Sequence, residues 1–258
     1  MPDDRDRRVR RAERLAAESD VAAPLLTFYA RVLKWQATLY DRLCSATRPS
    51  GTLERDLALI SPAVPALLSS VEADGPPLLA AEAAQLLRGS SGLESALLAW
   101  WCAPSDRDFF PKAILQPYAE ALASARTPPD GRVPTTARNR CPFCGGRPQV
   151  SILSVASSAD GGGRQLLCAT CFTVWPYRRV LCAHCGEEDE HKLGYFHSPA
   201  FEHLRVDTCE TCRHYMKTVD LTRLGIAVPL VDEVAGSSLD VWARERGYEK
   251  IQLNLVGL

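Results

Sequence analysis

The stretch Cys141-Pro142-Phe143-Cys144-Gly145, answered 41 positions later by Cys182-Ala183-His184-Cys185-Gly186, decides the reading of this chain. Two further pairs, Cys168/Cys171 and Cys209/Cys212, stand 41 positions apart in the same way. Two cysteines two residues apart can set both sulfurs on one side of a tight turn, as two corners of a tetrahedral metal site require. The interval from Cys144 to Cys168 is 24 positions, and so is that from Cys185 to Cys209. One fixed period argues for one supersecondary unit used twice. Glycine after the first pair of each unit, Gly145 and Gly186, accepts positive φ and lets the turn close.

The repeat assigns one four-cysteine site to Cys141, Cys144, Cys168 and Cys171, and a second to Cys182, Cys185, Cys209 and Cys212. An interleaved pairing, Cys168/Cys171 with Cys182/Cys185, would break the repeat. Disulfides need an oxidising compartment, and Met1–Arg14 is charged throughout, without the apolar core of a secretory signal. Free buried thiols would not fall into four identical pairs. Four thiolates at tetrahedral corners accept zinc or iron. All five histidines, at 184, 191, 197, 203 and 214, fall in the second unit. Either His184 or His214 joins a mixed site, or these histidines lie at the surface and around the sulfurs.

Outside the repeat the composition is that of a soluble globular protein: 258 residues, 46% hydrophobic, 24% charged, net charge −1. No whole-protein field favours nucleic acid or an acidic membrane. From Arg138 to Asp220 ten basic residues meet nine acidic ones, a poor balance for phosphate binding. Apolar runs such as Leu93–Ala103 fall short of the ~20 residues that span a bilayer. No membrane insertion and a cytoplasmic location are expected; a homodimer is left open.

Residues 1–126 read as an all-helical domain. Asp3–Asp20 balances six arginines with six acids, as a solvated, frayed helix would. Pro24–Cys44 carries Leu25, Phe28, Tyr29, Val32, Leu33, Leu39, Tyr40 and Leu43 at helical spacing. Trp35 and Gln36 are expected at the core edge and surface. Helices follow over Ser61–Val71, Leu78–Arg88, from Ser91 through Cys102, and over Phe109–Arg126 with a kink at Pro117. Cys44 and Cys102 are expected as small buried hydrophobes. No nucleophile, base and orienter come together in this half, so no catalytic residue is assigned and the chain is not expected to be an enzyme.

Residues 127–140, with Pro128, Pro129, Gly131 and Pro134, read as a linker. Residues 141–180 form the first metal module, with strands at Val150–Val155 and Arg164–Leu167 around a turn at Ala159–Gly163. Residues 181–220 form the second, with strands at Lys192–His197 and His203–Val206. Residues 221–258 close with a helix over Asp232–Arg246, its stripe interrupted by Gly236. The expected class is α+β: a helical N-terminal domain, two tandem rubredoxin- or zinc-ribbon-like modules, and a C-terminal helix.

The run Cys141-Pro142-Phe143-Cys144-Gly145 with Pro148 resembles the rubredoxin-type knuckle that opens the cysteine region of the FdhE family of formate dehydrogenase accessory proteins. Cys168/Cys171, Trp175, Arg179, Cys182/Cys185, Cys209/Cys212, Tyr215 and Lys217 follow in that family's order. Asp232, Leu239, Asp240, Gly247, Tyr248 and Asn254 fit its closing pattern. Val174 replaces the usual acid before the tryptophan, Glu233 the second of two aspartates, and Leu255 follows Asn254 where a proline and an aromatic are usual.

The resemblance implies a cytoplasmic maturation factor that binds the catalytic subunit of respiratory formate dehydrogenase before its twin-arginine export. It also implies rubredoxin-type iron, with zinc as the substitute. Trp175, Arg179, Tyr215 and Lys217 follow metal knuckles, and either contact the client or shield the sulfurs. A rubredoxin-like electron-transfer or redox-sensing protein is the alternative. A thiol–disulfide enzyme would require a metal-free cysteine pair.

Overall fold

The computed structural model describes residues 4–45, 48–89, 92–132, 137–155 and 163–258, Asp4 without its side chain. The expected turn at 159–162 and the Ser91 cap lie outside them. The chain divides into two compact units, Met1–Val133 and Pro134–Val256.

Seven helices build the first unit among the described residues: α1 (Asp4–Glu18), α2 (Ala23–Ser45), α3 (Leu53–Ile60), α4 (Val64–Asp74), α5 (Pro77–Arg88), α6 (Leu93–Cys102) and α7 (Phe109–Ala125). The apolar stripe of α2, from Leu26 through Leu33 to Leu43, is buried, and α7 is buried from Phe109 to Leu122. Contrary to the frayed helix expected at the N-terminus, α1 is docked. Arg8 grips Glu120 of α7 with two hydrogen bonds of 3.1 and 2.9 Å, and Arg5 lies 3.4 Å over the Tyr40 ring. The charge balance concealed a partly buried Arg–carboxylate fork.

Gln36, expected at the surface, is also buried and donates to Ala113 O and Gln116 Oε1. Asp56 anchors the unit by accepting from Ser50 N, Gly51 N and the Tyr118 hydroxyl at 2.8 Å. Burial, and then Asp56, push the Tyr118 phenol well above its usual range. Cys44 and Cys102 are exposed, correcting the buried reading; each ends its apolar stripe on the outer side of the helix.

Residues Leu53–Asp74 make a continuous helical run of 22 residues, long and apolar enough by composition to cross a membrane. That corrects the expectation that no stretch reaches such a length. Its Leu53, Leu57, Ile60, Leu67 and Val71 are buried and its Asp56 accepts from Tyr118, while a third of the apolar window in all is buried.

The second unit is one seven-stranded sheet: β1 (Pro148–Ser154), β2 (Gly163–Cys168), β3 (Val174–Tyr177), β4 (Leu193–Ser198), β5 (Phe201–Cys209), β6 (His214–Asp220) and β7 (Glu249–Lys250). The order is β3-β2-β1-β6-β5-β4, with β7 beside β6. Each repeat is an antiparallel three-strand meander, β1-β2-β3 and β4-β5-β6, so each hairpin expected from the sequence has a third strand after its second cysteine pair. The repeats join where β1 pairs parallel with β6, Ser151 opposite Thr218.

One sheet face is covered by α8 (Pro229–Ala235) and α9 (Ser237–Glu245), which replace the single closing helix expected from the sequence. Gly236 is the break: a Cβ there would lie 2.6 Å from Leu204 Cδ1. The resulting core joins Val150, Ile152, Leu204, Val206, Tyr215 and Val219 to Leu230, Leu239, Ala243 and Tyr248.

Candidate metal centres and the network behind them

Each four-cysteine group forms from two knuckles brought together by its meander. The loop Cys141–Gly146 closes through Gly145 N to Cys141 O and Cys141 N to Gly146 O, both at 2.9 Å. Gly186 N to Cys182 O and Cys182 N to Glu187 O repeat that pattern in the second module. The residue after the second cysteine of every pair is left-handed: Gly145, Phe172, Gly186 and Arg213 have φ of 70°, 57°, 80° and 58°. Only two of the four are glycine, so the sequence announced half of this geometry.

Cys141, Cys144, Cys168 and Cys171 bring their sulfurs within 4.8 Å of one another, and so do Cys182, Cys185, Cys209 and Cys212. The cross-pair separations are 3.6 and 3.5 Å in the first group and 3.8 and 3.7 Å in the second. A disulfide would need about 2.05 Å. Four sulfurs about 2.3 Å from a central ion define a tetrahedron with edges of about 3.8 Å. The donor set and its spacing therefore fit a metal ion in each group, and both groups could hold one. Backbone N–H groups of Thr170 and His184 point at Cys168 Sγ and Cys182 Sγ at 3.3 and 3.4 Å, as thiolate sulfur favours.

Hydrogen bonds from Cys144, Cys168 and Cys171 hold Cys141 far below the ordinary thiol range, while burial pushes Cys168 well above it. A central cation would convert all four to thiolates.

The groups differ in exposure. All four cysteines of the first are buried; in the second Cys185 is exposed and Cys212 half-buried. Beside Cys212, His184 and His214 stack at 3.7 Å. His184, Cys212 and His214 also gather ligand atoms within 4.8 Å, so the mixed site considered from the sequence has its donors in place next to the four-cysteine group. His214 Nδ1 lies 2.7 Å from Cys212 O, and burial and the neighbouring His214 lower the His184 pKa.

The residues following the knuckles have separate fates. Trp175 is buried and donates to Arg138 O at 3.0 Å; Arg179 is exposed. Tyr215 and Lys217 are wholly buried. The Tyr215 hydroxyl and the Lys217 ammonium both engage Asp240.

They belong to a buried charge network that sequence reasoning did not assemble. Lys217 Nζ approaches Glu233 Oε1 at 3.1 Å, lies hard against Asp240 Oδ2, and reaches the Gly236 carbonyl at 3.3 Å. Lys250 contacts the same two carboxylates, Asp240 Oδ1 at 3.0 Å and Glu233 Oε1. The Tyr215 hydroxyl donates to Asp240 Oδ1 at 2.8 Å and Asn254 Nδ2 to Glu233 Oε2 at 3.0 Å. Burial alone would raise the Glu233 carboxyl, but Lys217 and Lys250 hold it at about 2. Asp232 accepts from Val228 N and meets His203 Nε2 at 2.8 Å, bracing the start of α8. Asp232, Asp240 and Asn254 were visible in the closing pattern of the resemblance; what ties Asp240 to β6, Asp232 to His203 of β5 and Asn254 to Glu233 is tertiary.

Fold and sites thus define a class: a helical domain joined to a double four-cysteine module on one sheet. Residues 140–179 match the family described as "FdhE, central domain" and residues 180–256 that described as "FdhE, C-terminal domain". The "Protein FdhE homolog" of Aquifex aeolicus is 38% identical over 120 residues, 46% of this chain and 42% of that protein. The homolog of Pseudomonas aeruginosa is 34% identical over 133 residues, 48% of this chain and 41% of that protein. These alignments span less than half the length of either relative. The crystal structure of the FdhE protein from Pseudomonas aeruginosa matches with a TM-score of 0.71 at 25% identity, over 96% of this chain and 94% of that one. The chain is therefore similar to FdhE-type proteins: in sequence over its cysteine-bearing part, residues 140–256, and in fold over 96% of its length.

Proposed function

We propose that the chain is an accessory factor, not an enzyme, that acts in the cytoplasm. It binds the catalytic subunit of respiratory formate dehydrogenase and supports its assembly before export. The observation that carries this reading is the match to the FdhE fold along the whole chain, helical part included, together with two intact four-cysteine groups. Arg179, exposed just before the second knuckle, is the member of the expected contact set that lies at the surface. Iron occupies at least one group in protein made without oxygen, and zinc replaces it in air.

The test is a tagged pull-down from anaerobic cytosol, with the bound proteins identified and the bait's metal counted. Recovery of the formate dehydrogenase catalytic subunit is expected. A metal-loaded bait that never recovers it would overturn the assignment. The exposed Cys185 favours one second reading, a rubredoxin-like electron-transfer or redox-sensing protein, which predicts a reversible potential and a reductase on the bait.

A further inference from the structure

The sheet ends on two unlike edges. β3 carries Pro176, which has no N–H to offer an added strand. β4, Leu-Gly-Tyr-Phe-His-Ser, contains no proline, lysine or carboxylate, the usual guards of an open edge. The β4–β5 ladder fixes which groups are free. Glu210 N donates to Lys192 O at 2.9 Å, which makes 192/210 a hydrogen-bonded pair; Gly194/Thr208 and Phe196/Val206 follow it in register. Tyr195 and His197 therefore turn both their N–H and C=O groups outward, whereas Leu193 N donates to Glu190 O and offers only its carbonyl. Among the described residues no strand pairs with them.

The two faces beside this edge differ in chemistry. On one, Phe196, 41% exposed, packs against Trp242 at 4.8 Å. On the other, Tyr195, 66% exposed, has the Arg205 guanidinium 5.5 Å from its ring. Next to Tyr195 opens a cavity of about 360 Å³ whose charged lining is Arg164, Arg179, Arg205, Glu190 and Asp207. Asp207 is already held by Arg164, Arg205 and Thr218, so the cavity keeps a basic excess.

We propose that the β4 edge receives an extended segment of a partner protein by strand addition. The segment alternates apolar side chains, laid over Phe196 and Trp242, with carboxylates directed to Arg205 and Arg179. Main-chain pairing to Tyr195 and His197, with the Leu193 carbonyl, supplies the seat, and the two unlike faces supply selectivity. The inference rests on the accessory role proposed above and names its contact surface.

The test uses the full metal-loaded chain and two capped seven-residue peptides, valine alternating with glutamate or with lysine. The glutamate peptide is expected to shift the amide resonances of Tyr195 and His197, and the lysine peptide to bind at least tenfold more weakly. Tyr195→Pro and, independently, His197→Pro each remove an outward N–H without breaking the β5 ladder, and each should lose at least tenfold. Tyr195→Ala separates ring from backbone and should lose less than Tyr195→Pro. Equal binding of the two peptides, or no shift at these amides, would overturn the proposal.

Capture of the formate dehydrogenase catalytic subunit should fall at least tenfold in both proline variants. Undiminished capture would overturn the surface and leave the accessory role standing. Peptide binding without client capture would do the reverse. A β4-mediated dimer that Tyr195→Pro dissolves would overturn the partner segment in favour of a second copy.

Discussion

The two four-cysteine groups are built on one repeat but are unequally enclosed, and one pair of matching positions shows how. In the first group the residue after the left-handed Gly145 is Gly146. A Cβ there would sit 3.0 Å from Cys168 Sγ, 3.1 Å from Thr170 Oγ1 and 3.3 Å from Cys144 Sγ. The matching position 41 residues on is Glu187, whose carboxylate turns outward to Thr211 Oγ1 and Lys192. The first group is packed to the limit of its sulfurs; the second is looser, with Cys185 at the surface. Reinforcement for the second comes from behind β6, where Lys217 and Tyr215 lock the strand to α8 and α9. One module is held by its own packing, the other by its neighbours.

The largest test of that contrast is to remove one sulfur from each. Metal binding in such modules contributes on the order of 10 kcal/mol to folding. Cys168→Ala should abolish the cooperative melt of residues 134–256 and release metal. Cys185→Ala should weaken metal retention at the second group yet leave a cooperative melt, followed by calorimetry with metal counting. Equal damage from the two would break the comparison.

Next comes the network. Lys217→Met leaves a carboxylate without its partner in a dry interior, at a cost of about 3–5 kcal/mol. Removing a charge on each side, as in Lys217→Met with Asp240→Asn, should recover part of that loss in a double-mutant cycle. The pH dependence has a fixed sign. Glu233 ionises at about 2 when folded, against an ordinary 4.5, so its contribution is present above pH 4.5 and is lost as pH falls toward 2. In Lys217→Met acid unfolding should begin at higher pH, measured by near-UV circular dichroism.

What the sequence made legible was local. A knuckle is closed by residues within six positions of each other, so the four pairs, their period and the glycines at 145 and 186 could be read directly. Phe172 and Arg213 adopt the same left-handed turn without a residue type that advertises it. The parallel β1–β6 join depends on residues 67 positions apart, Ser151 and Thr218, and no periodicity announces such a pairing. The burial of Lys217 is not legible locally because its two carboxylate partners arrive from helices 16 and 23 residues later. Arg8 misled in the same way, its carboxylate lying 112 positions on. The helical half was readable where a stripe was long, as in α2. It was missed at α3, whose eight residues give the stripe barely two turns.

The finest test compares two glycines of the repeat. Gly146→Ala must press a methyl against two sulfurs, and overpacking of this kind costs about 1–3 kcal/mol. Because the displaced atoms are metal ligands, the cobalt-substituted protein should also show a shifted thiolate charge-transfer band. Gly186→Ala meets no heavy atom within 4 Å, and its penalty comes only from φ of 80°. That strain amounts to about 1–2 kcal/mol. It should lower the melting temperature slightly and leave the cobalt spectrum of the second group unchanged, since the strain lies in the backbone and the sulfurs keep their places. A spectral shift from Gly186→Ala as large as that from Gly146→Ala would mean that the second group is as tightly packed as the first. Its exposed Cys185 would then be a rigid corner, and the support assigned to the network behind β6 would be unnecessary.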